Sequence, residues 1–94
     1  MNKYESVCVL SQDCTNEQLS NMIVKLQNKI AEFSKEEINI KNIGKKTLAY
    51  QVKNNKEGYF FVINFQAKNK DLNKLTNFYK TCENVLKYMV IKED

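Results

Sequence analysis

Residues 59–67 read Tyr-Phe-Phe-Val-Ile-Asn-Phe-Gln-Ala, an unbroken run of mostly aromatic and β-branched side chains. Such a run is stable only as a strand inside a sheet, paired on both edges and covered on at least one face. Alternation divides it into a richer face, Tyr59, Phe61, Ile63 and Phe65, and a second face that still carries Phe60 and Val62. The remaining 85 of the 94 residues must supply the neighbouring strands and the cover. A chain of this length has room for one core, so a single domain spanning 1–94 is expected.

The rest of the chain changes period in an ordered way. Residues 3–10, Lys-Tyr-Glu-Ser-Val-Cys-Val-Leu, alternate as a strand and end at the polar Ser11-Gln12-Asp13. From Thr15 the apolar positions Leu19, Met22, Ile23, Leu26, Ile30 and Phe33 fall at steps of three and four, a helical stripe. Thr15 and Gln18 have the spacing of a capping box at its start. Between Lys35 and Val52 the period returns to two, with Ile38 and Ile40 on one face and Leu48, Tyr50 and Val52 continuing the even positions. Gly44 between them marks a bulge or bend. Asn54-Asn55-Lys56-Glu57-Gly58 has turn composition and joins this bent strand to the central run as a hairpin. Asn69 and Asp71 offer oxygens for a second helix start, where Leu72, Leu75, Phe78, Tyr79 and Cys82 repeat at helical spacing, and residues 85–92 revert to a strand. The order βαββαβ specifies an α+β ferredoxin-like sandwich. Right-handed crossovers put both helices on one face of a four-stranded antiparallel sheet.

Composition removes most catalytic chemistry. The net charge is +4, all fifteen basic residues are Lys, and Arg, His and Trp are absent. Without His there is no Ser–His or Cys–His nucleophile pair and no imidazole metal ligand. Without Arg there is no guanidinium to clamp a phosphate, so a ferredoxin-like hydrolase of the acylphosphatase kind is disfavoured. Glu36 and Glu37 are adjacent in a strand and point to opposite faces, so they cannot share a proton. Cys8, Cys14 and Cys82 lack C-x-x-C spacing; Cys8 and Cys82 are expected in the core and Cys14 as a loop thiol. No catalytic residue, metal or cofactor is expected. Glu5 and Ser6 interrupt the apolar residues too early for a secretory segment, and a cytosolic, soluble protein is the expectation.

Two surface features point to partners. Residues 35–56 hold six Lys against two acidic residues, so this hairpin region carries the whole net charge. That is an electrostatic footprint for nucleic acid, or a solvated face in a Lys- and Asn-rich chain. Lysine is a point charge suited to phosphate oxygens rather than to guanine edges, so backbone contact is expected. A footprint of about four phosphates gives a log–log salt slope of order −3. Residues 57–64, Glu-Gly-Tyr-Phe-Phe-Val-Ile-Asn, approach an RNA-recognition-motif pattern. They depart from it at Glu57, Phe60 and Asn64, and alternation buries Tyr59 and Phe61, which would have to stack bases. If Tyr4, Phe61, Tyr88 and Val90 face the helices, then Val7, Val9, Phe60, Val62, Met89 and Ile91 share the uncovered face and form a candidate protein-partner surface.

Gly44-Lys45-Lys46-Thr47-Leu48-Ala49-Tyr50, followed by Lys53 and Gly58-Tyr59-Phe60, resembles the family of protein six of the bacterial small ribosomal subunit. Tyr4-Glu5 with Val9-Leu10 is similar to that family's opening strand, and Asn84-Val85, Met89-Val90 and Lys92 to its closing strand, so the likeness spans about residues 3–92. The resemblance implies a non-catalytic cytoplasmic protein of the small subunit that binds its 16S ribosomal RNA and pairs with small-subunit protein eighteen. By matching positions it assigns RNA contact to Lys3, Lys45, Lys46, Lys87 and Lys92. This chain has Lys where members often have Arg, Gln51 where a Pro is common, and Leu86 beside Lys87 where a basic pair is common; no role of the longer tail of some members carries past Asp94. A ferredoxin-like regulatory or dimerisation module binding a small ligand is the alternative, and it predicts no salt-sensitive RNA binding.

Overall fold

The computed structural model describes residues 1–93. Its elements are β1 (Asn2–Ser11), α1 (Asn16–Ala31), β2 (Asn39–Val52), β3 (Asn55–Ala67), a 3-10 turn (Asn69–Asp71), α2 (Leu72–Thr81) and β4 (Val85–Glu93). The strands form one antiparallel sheet in the order β2-β3-β1-β4. The expected βαββαβ sandwich is what the chain adopts.

The core lies between the sheet and the helices. Tyr4, Cys8 and Leu10 of β1 and Phe61, Ile63, Phe65 and Ala67 of β3 meet Leu19, Met22, Leu26 and Ile30 of α1 and Leu75 and Tyr79 of α2. The α1 stripe therefore does what its spacing predicts. Its capping box is formed: Gln18 N donates to Thr15 Oγ1 at 3.2 Å and Thr15 N to Gln18 Oε1 at 2.8 Å, satisfying two otherwise unpartnered amides. The start of α2 is different. Neither Asn69 nor Asp71 caps it, because the chain enters through the 3-10 turn, and Asp71 instead pairs with Lys74 at 3.2 Å. Among the described residues Ser6 is the one completely buried hydroxyl, amide or charged side chain of the sheet facing the helices. Its hydroxyl donates to Met89 O at 3.0 Å and so accepts from Tyr79 Oη, 2.8 Å away, tying α2 to β1 and β4.

The hairpin is tighter than its composition suggests. The turn is Lys53-Asn54, both at positive φ (49° and 66°), the two-residue geometry that matches strand twist. Asn55 to Gly58 already belong to β3. Asn55 is buried and serves as a clasp: its Oδ1 accepts from Ser11 Oγ at 3.1 Å and Gln12 N at 3.0 Å, while its Nδ2 donates to Lys53 O at 3.0 Å. Gly58 is not a turn glycine. A Cβ there would lie 2.5 Å from Val9 Cγ1 and 3.1 Å from Leu10 O, so its role is close packing of β3 on β1.

Gly44 does mark a bulge, and the bulge changes the meaning of the even positions. Ile40 pairs with Ile63 and Asn42 with Phe61, but Gly44 pairs with Phe60, leaving Ile43 as the extra residue. Gly44 supplies the required positive φ of 103°, and its amide donates to Asn42 Oδ1 at 2.9 Å. Ile38 and Ile40 therefore pack under the helices, whereas Leu48 and Val52 pack on the other face with Val9, Phe60 and Leu86. The cysteines also differ from expectation: Cys14 is buried in the main core, because Cys14 N bonds back to Ser11 O, and Cys82 is only half-buried.

Two stability predictions follow from this packing. Gly58→Ala forces β1 and β3 apart and costs about 1–3 kcal/mol, read as a lower urea midpoint with unchanged slope. Burial, then the neighbouring Cys82 and Cys14, push the Cys8 thiol from 9.0 up to about 12, and burial raises Tyr79 as well. Above about pH 9 the unfolded chain releases the Cys8 proton while the folded chain keeps it, so stability falls as pH rises toward about 12, by up to about 1.4 kcal/mol per pH unit for this group. The urea midpoint should drop over that window, and less steeply in Cys8→Ala.

Candidate nucleic-acid interface and open sheet face

Strand register assigns every side chain on the face turned away from the helices. One row across the sheet reads Lys41, Val62, Val7, Met89; the next, toward the hairpin, Gly44, Phe60, Val9, Lys87. On the other side of the first row lie Asn39, Asn64, Glu5 and Ile91, then Gln66, Lys3 and Glu93. Val7, Val9, Phe60, Val62, Met89 and Ile91 thus share this face, while Tyr4, Phe61, Tyr88 and Val90 face the helices. Phe61 is completely buried there, so the pattern at residues 57–64 cannot present it to a base.

The face is not uniformly open. Val9 is 1% exposed, covered by Leu48 and Leu86 with Val52 and Phe60 against them, so at the hairpin end the chain roofs its own sheet with β2 rather than with a helix. Sequence periodicity missed this because the cover depends on the parity change at Gly44. Met89 and Ile91, by contrast, are 51% and 47% exposed, and with the half-buried Val7 and Val62 they leave an apolar strip beside edge strand β4. Asn64 Nδ2 donates to Glu93 Oε1 at 2.7 Å at its polar end.

The five candidate lysines are all exposed, and register separates them. Lys46, paired with Gly58, and Lys87, paired with Val9, lie on the open face at the hairpin end. Lys3 lies on the same face six residues further along β1, about 20 Å away at strand rise. Lys45 and Lys92 project on the helix side. Lys45 Nζ sits 5.4 Å from the Tyr59 ring centroid, and Lys92 pairs with Tyr4. Among the described residues the ion pairs are Lys29–Glu32 and Lys74–Asp71, so none of the five is neutralised by a carboxylate. Their charge is available to an external anion, with both sides of the β2–β3 ribbon positively charged.

A second concave feature, of about 520 Å³, lies between α1 and the end of α2, lined by Leu10, Cys14, Met22, Lys25, Phe78 and Cys82 among others. Its thiols are not activated. Burial raises both, Cys14 with help from Asp13, and Lys25 opposes the rise at Cys82. Among the described residues no three His, Cys, Asp or Glu side chains are grouped to hold a metal ion. No helix among them is long and apolar enough to cross a membrane.

Comparison with known proteins matches the family model of ribosomal protein S6 to residues 3–92. The chain is 34% identical over 94 residues to small ribosomal subunit protein bS6 of Thermoanaerobacter pseudethanolicus, covering 100% of this chain and 99% of that one. It is 32% identical to its counterpart in Trichormus variabilis, over 97% and 84% of the two chains. The crystal structure of 30S ribosomal protein S6 from Thermotoga maritima superposes with a TM-score of 0.90 at 25% identity, covering 98% of this chain and 87% of that one.

Proposed function

Because the chain belongs to the ribosomal protein S6 family, we propose that it works in the small ribosomal subunit by binding 16S ribosomal RNA through its unneutralised lysines. On this reading the exposed strip of the sheet holds a neighbouring protein. The family match across residues 3–92 carries the assignment, and the family is structural rather than catalytic.

The physical division of labour follows from the surface. Lys46 and Lys87 offer two ammonium groups on one face at the hairpin end, Lys45 adds one on the reverse of the ribbon, and Lys3 and Lys92 flank the start of β1. Point charges of this kind hold phosphates through counterion release, which makes affinity salt-dependent. The strip formed by Val7, Val62, Met89 and Ile91 is apolar and partly exposed, as a protein contact requires, with Glu5 beside Ile91 and Lys41 beside Val62 at its margins. The partner proposed for it is small-subunit protein eighteen, the neighbour implied by the family resemblance.

Binding to a small-subunit RNA transcript, measured across a range of salt concentrations, tests the reading. Lys46→Glu and Lys87→Glu should each flatten the log–log slope by about one and weaken binding roughly tenfold at about 0.1 M salt. The pair Lys45→Glu with Lys46→Glu should reduce incorporation into small subunits; unchanged incorporation counts against the assigned lysines. Met89→Asp should leave the RNA slope alone and release the protein partner from complexes washed at high salt.

A further inference from the structure

The segment connecting Thr47 to Val52 contains an irregularity that no hairpin requires. Thr47 pairs with Glu57 and Val52 with Asn55, so the four residues 48–51 stand opposite the single Lys56. The excess length arches over the open face. Leu48 and Val52 are its footings, seated on Val9, Phe60 and Leu86, and Tyr50 is its crown. Strands β2 and β4 are opposite edges of the sheet, about 14 Å apart at ordinary strand spacing. Even so, Lys87 Nζ of β4 stands over the Tyr50 ring, 5.5 Å from its centroid.

Tyr50 is 68% exposed, more than Met89, Ile91 or any other large apolar side chain of the described residues. Its ring therefore has an ammonium over one face, and the arch that carries it is anchored two residues away on either side, by the buried Leu48 and the partly buried Val52. Lys46 projects from the same face at the same end, Lys53 lies in the turn and Lys56 follows it; none has an ion-pair partner among the described residues. A flat, exposed aromatic ring with one ammonium over it and further unneutralised lysines at the same end of the sheet matches a base next to its phosphate: the base stacks on the ring while the ammonium groups take the anion. A paired helix cannot use such a ring, because its bases are already stacked within it.

We propose that Tyr50 is a stacking platform for an unpaired nucleobase of RNA, with Lys87 over the ring and Lys46, on the same face at the same end of the sheet, for the adjoining phosphate. This rests on the RNA-binding reading and adds to it a site for single-stranded RNA, where lysines alone would accept any phosphate backbone.

The chain has no Trp, so Tyr50→Trp introduces a single indole whose emission reports on its neighbours. Addition of a small-subunit RNA transcript should quench that emission, and addition of a fully paired RNA duplex should not. Tyr50→Leu should weaken transcript binding roughly 5- to 100-fold with the salt slope unchanged, whereas Tyr50→Phe, which keeps the ring, should restore most of the affinity. Circular dichroism of each variant establishes that the arch substitutions leave the fold in place. If the unaltered protein binds the transcript while Tyr50→Leu binds equally well and the indole is undisturbed, the stacking site is wrong and the lysine mechanism stands. Should Tyr50→Leu instead lose only the protein partner, the ring belongs to a protein interface and the proposal is overturned. Failure of the unaltered protein to bind the transcript removes both.

Discussion

One inserted residue governs how this sheet uses its two faces. Without Ile43 as the extra residue, the even positions of β2 would all point under the helices, and Leu48 and Val52 would have to join a core already filled by Phe61 and Ile63. With it, the distal half of β2 turns its apolar side chains to the opposite face and closes over Val9. A one-residue shift in a strand transfers every later side chain to the other surface. Here that shift builds a second, small core on the side of the sheet that a two-layer sandwich leaves uncovered.

The second core depends in turn on Gly58. Any side chain there would collide with Val9 and the Leu10 carbonyl, keeping β3 from the distance at which Leu86 and Leu48 can seal the site. The two glycines thus act by different physics. Gly44 contributes a backbone angle in open space, and Gly58 contributes the absence of volume in a crowded one. Between them they set the boundary between the covered part of the open face and the exposed strip of Met89 and Ile91.

Much of this was readable before any coordinates. The alternation of periods fixes the element order, the Thr15–Gln18 spacing marks the start of α1, and alternation in β1, β3 and β4 assigns Val7, Val62, Met89 and Ile91 to one face. What escaped were features with no local signal. Lys53-Asn54 forms the turn without glycine because Asn55 clasps Ser11 and Gln12 from a distant part of the chain. Cys14 looks like a loop thiol until its backbone bond to Ser11 folds the loop inward. Lys45 and Lys46 read as one basic pair within the charged segment 35–56, yet strand parity sends them to opposite faces of the sheet. Tyr50 reads as one more even position of a strand, and only the four-against-one mismatch beside it reveals an arch.

The central position of β1 has a consequence for how the molecule is made. This strand, the first of the described elements, is hydrogen-bonded on one side to β4, the last of them, with Lys3 opposite Glu93. During translation β1 must therefore wait, one edge bare, until β4 has been made, since local contacts cannot substitute for a pairing that closes a loop of this length. The sheet is completed only when these two strands, so distant in sequence, zip together.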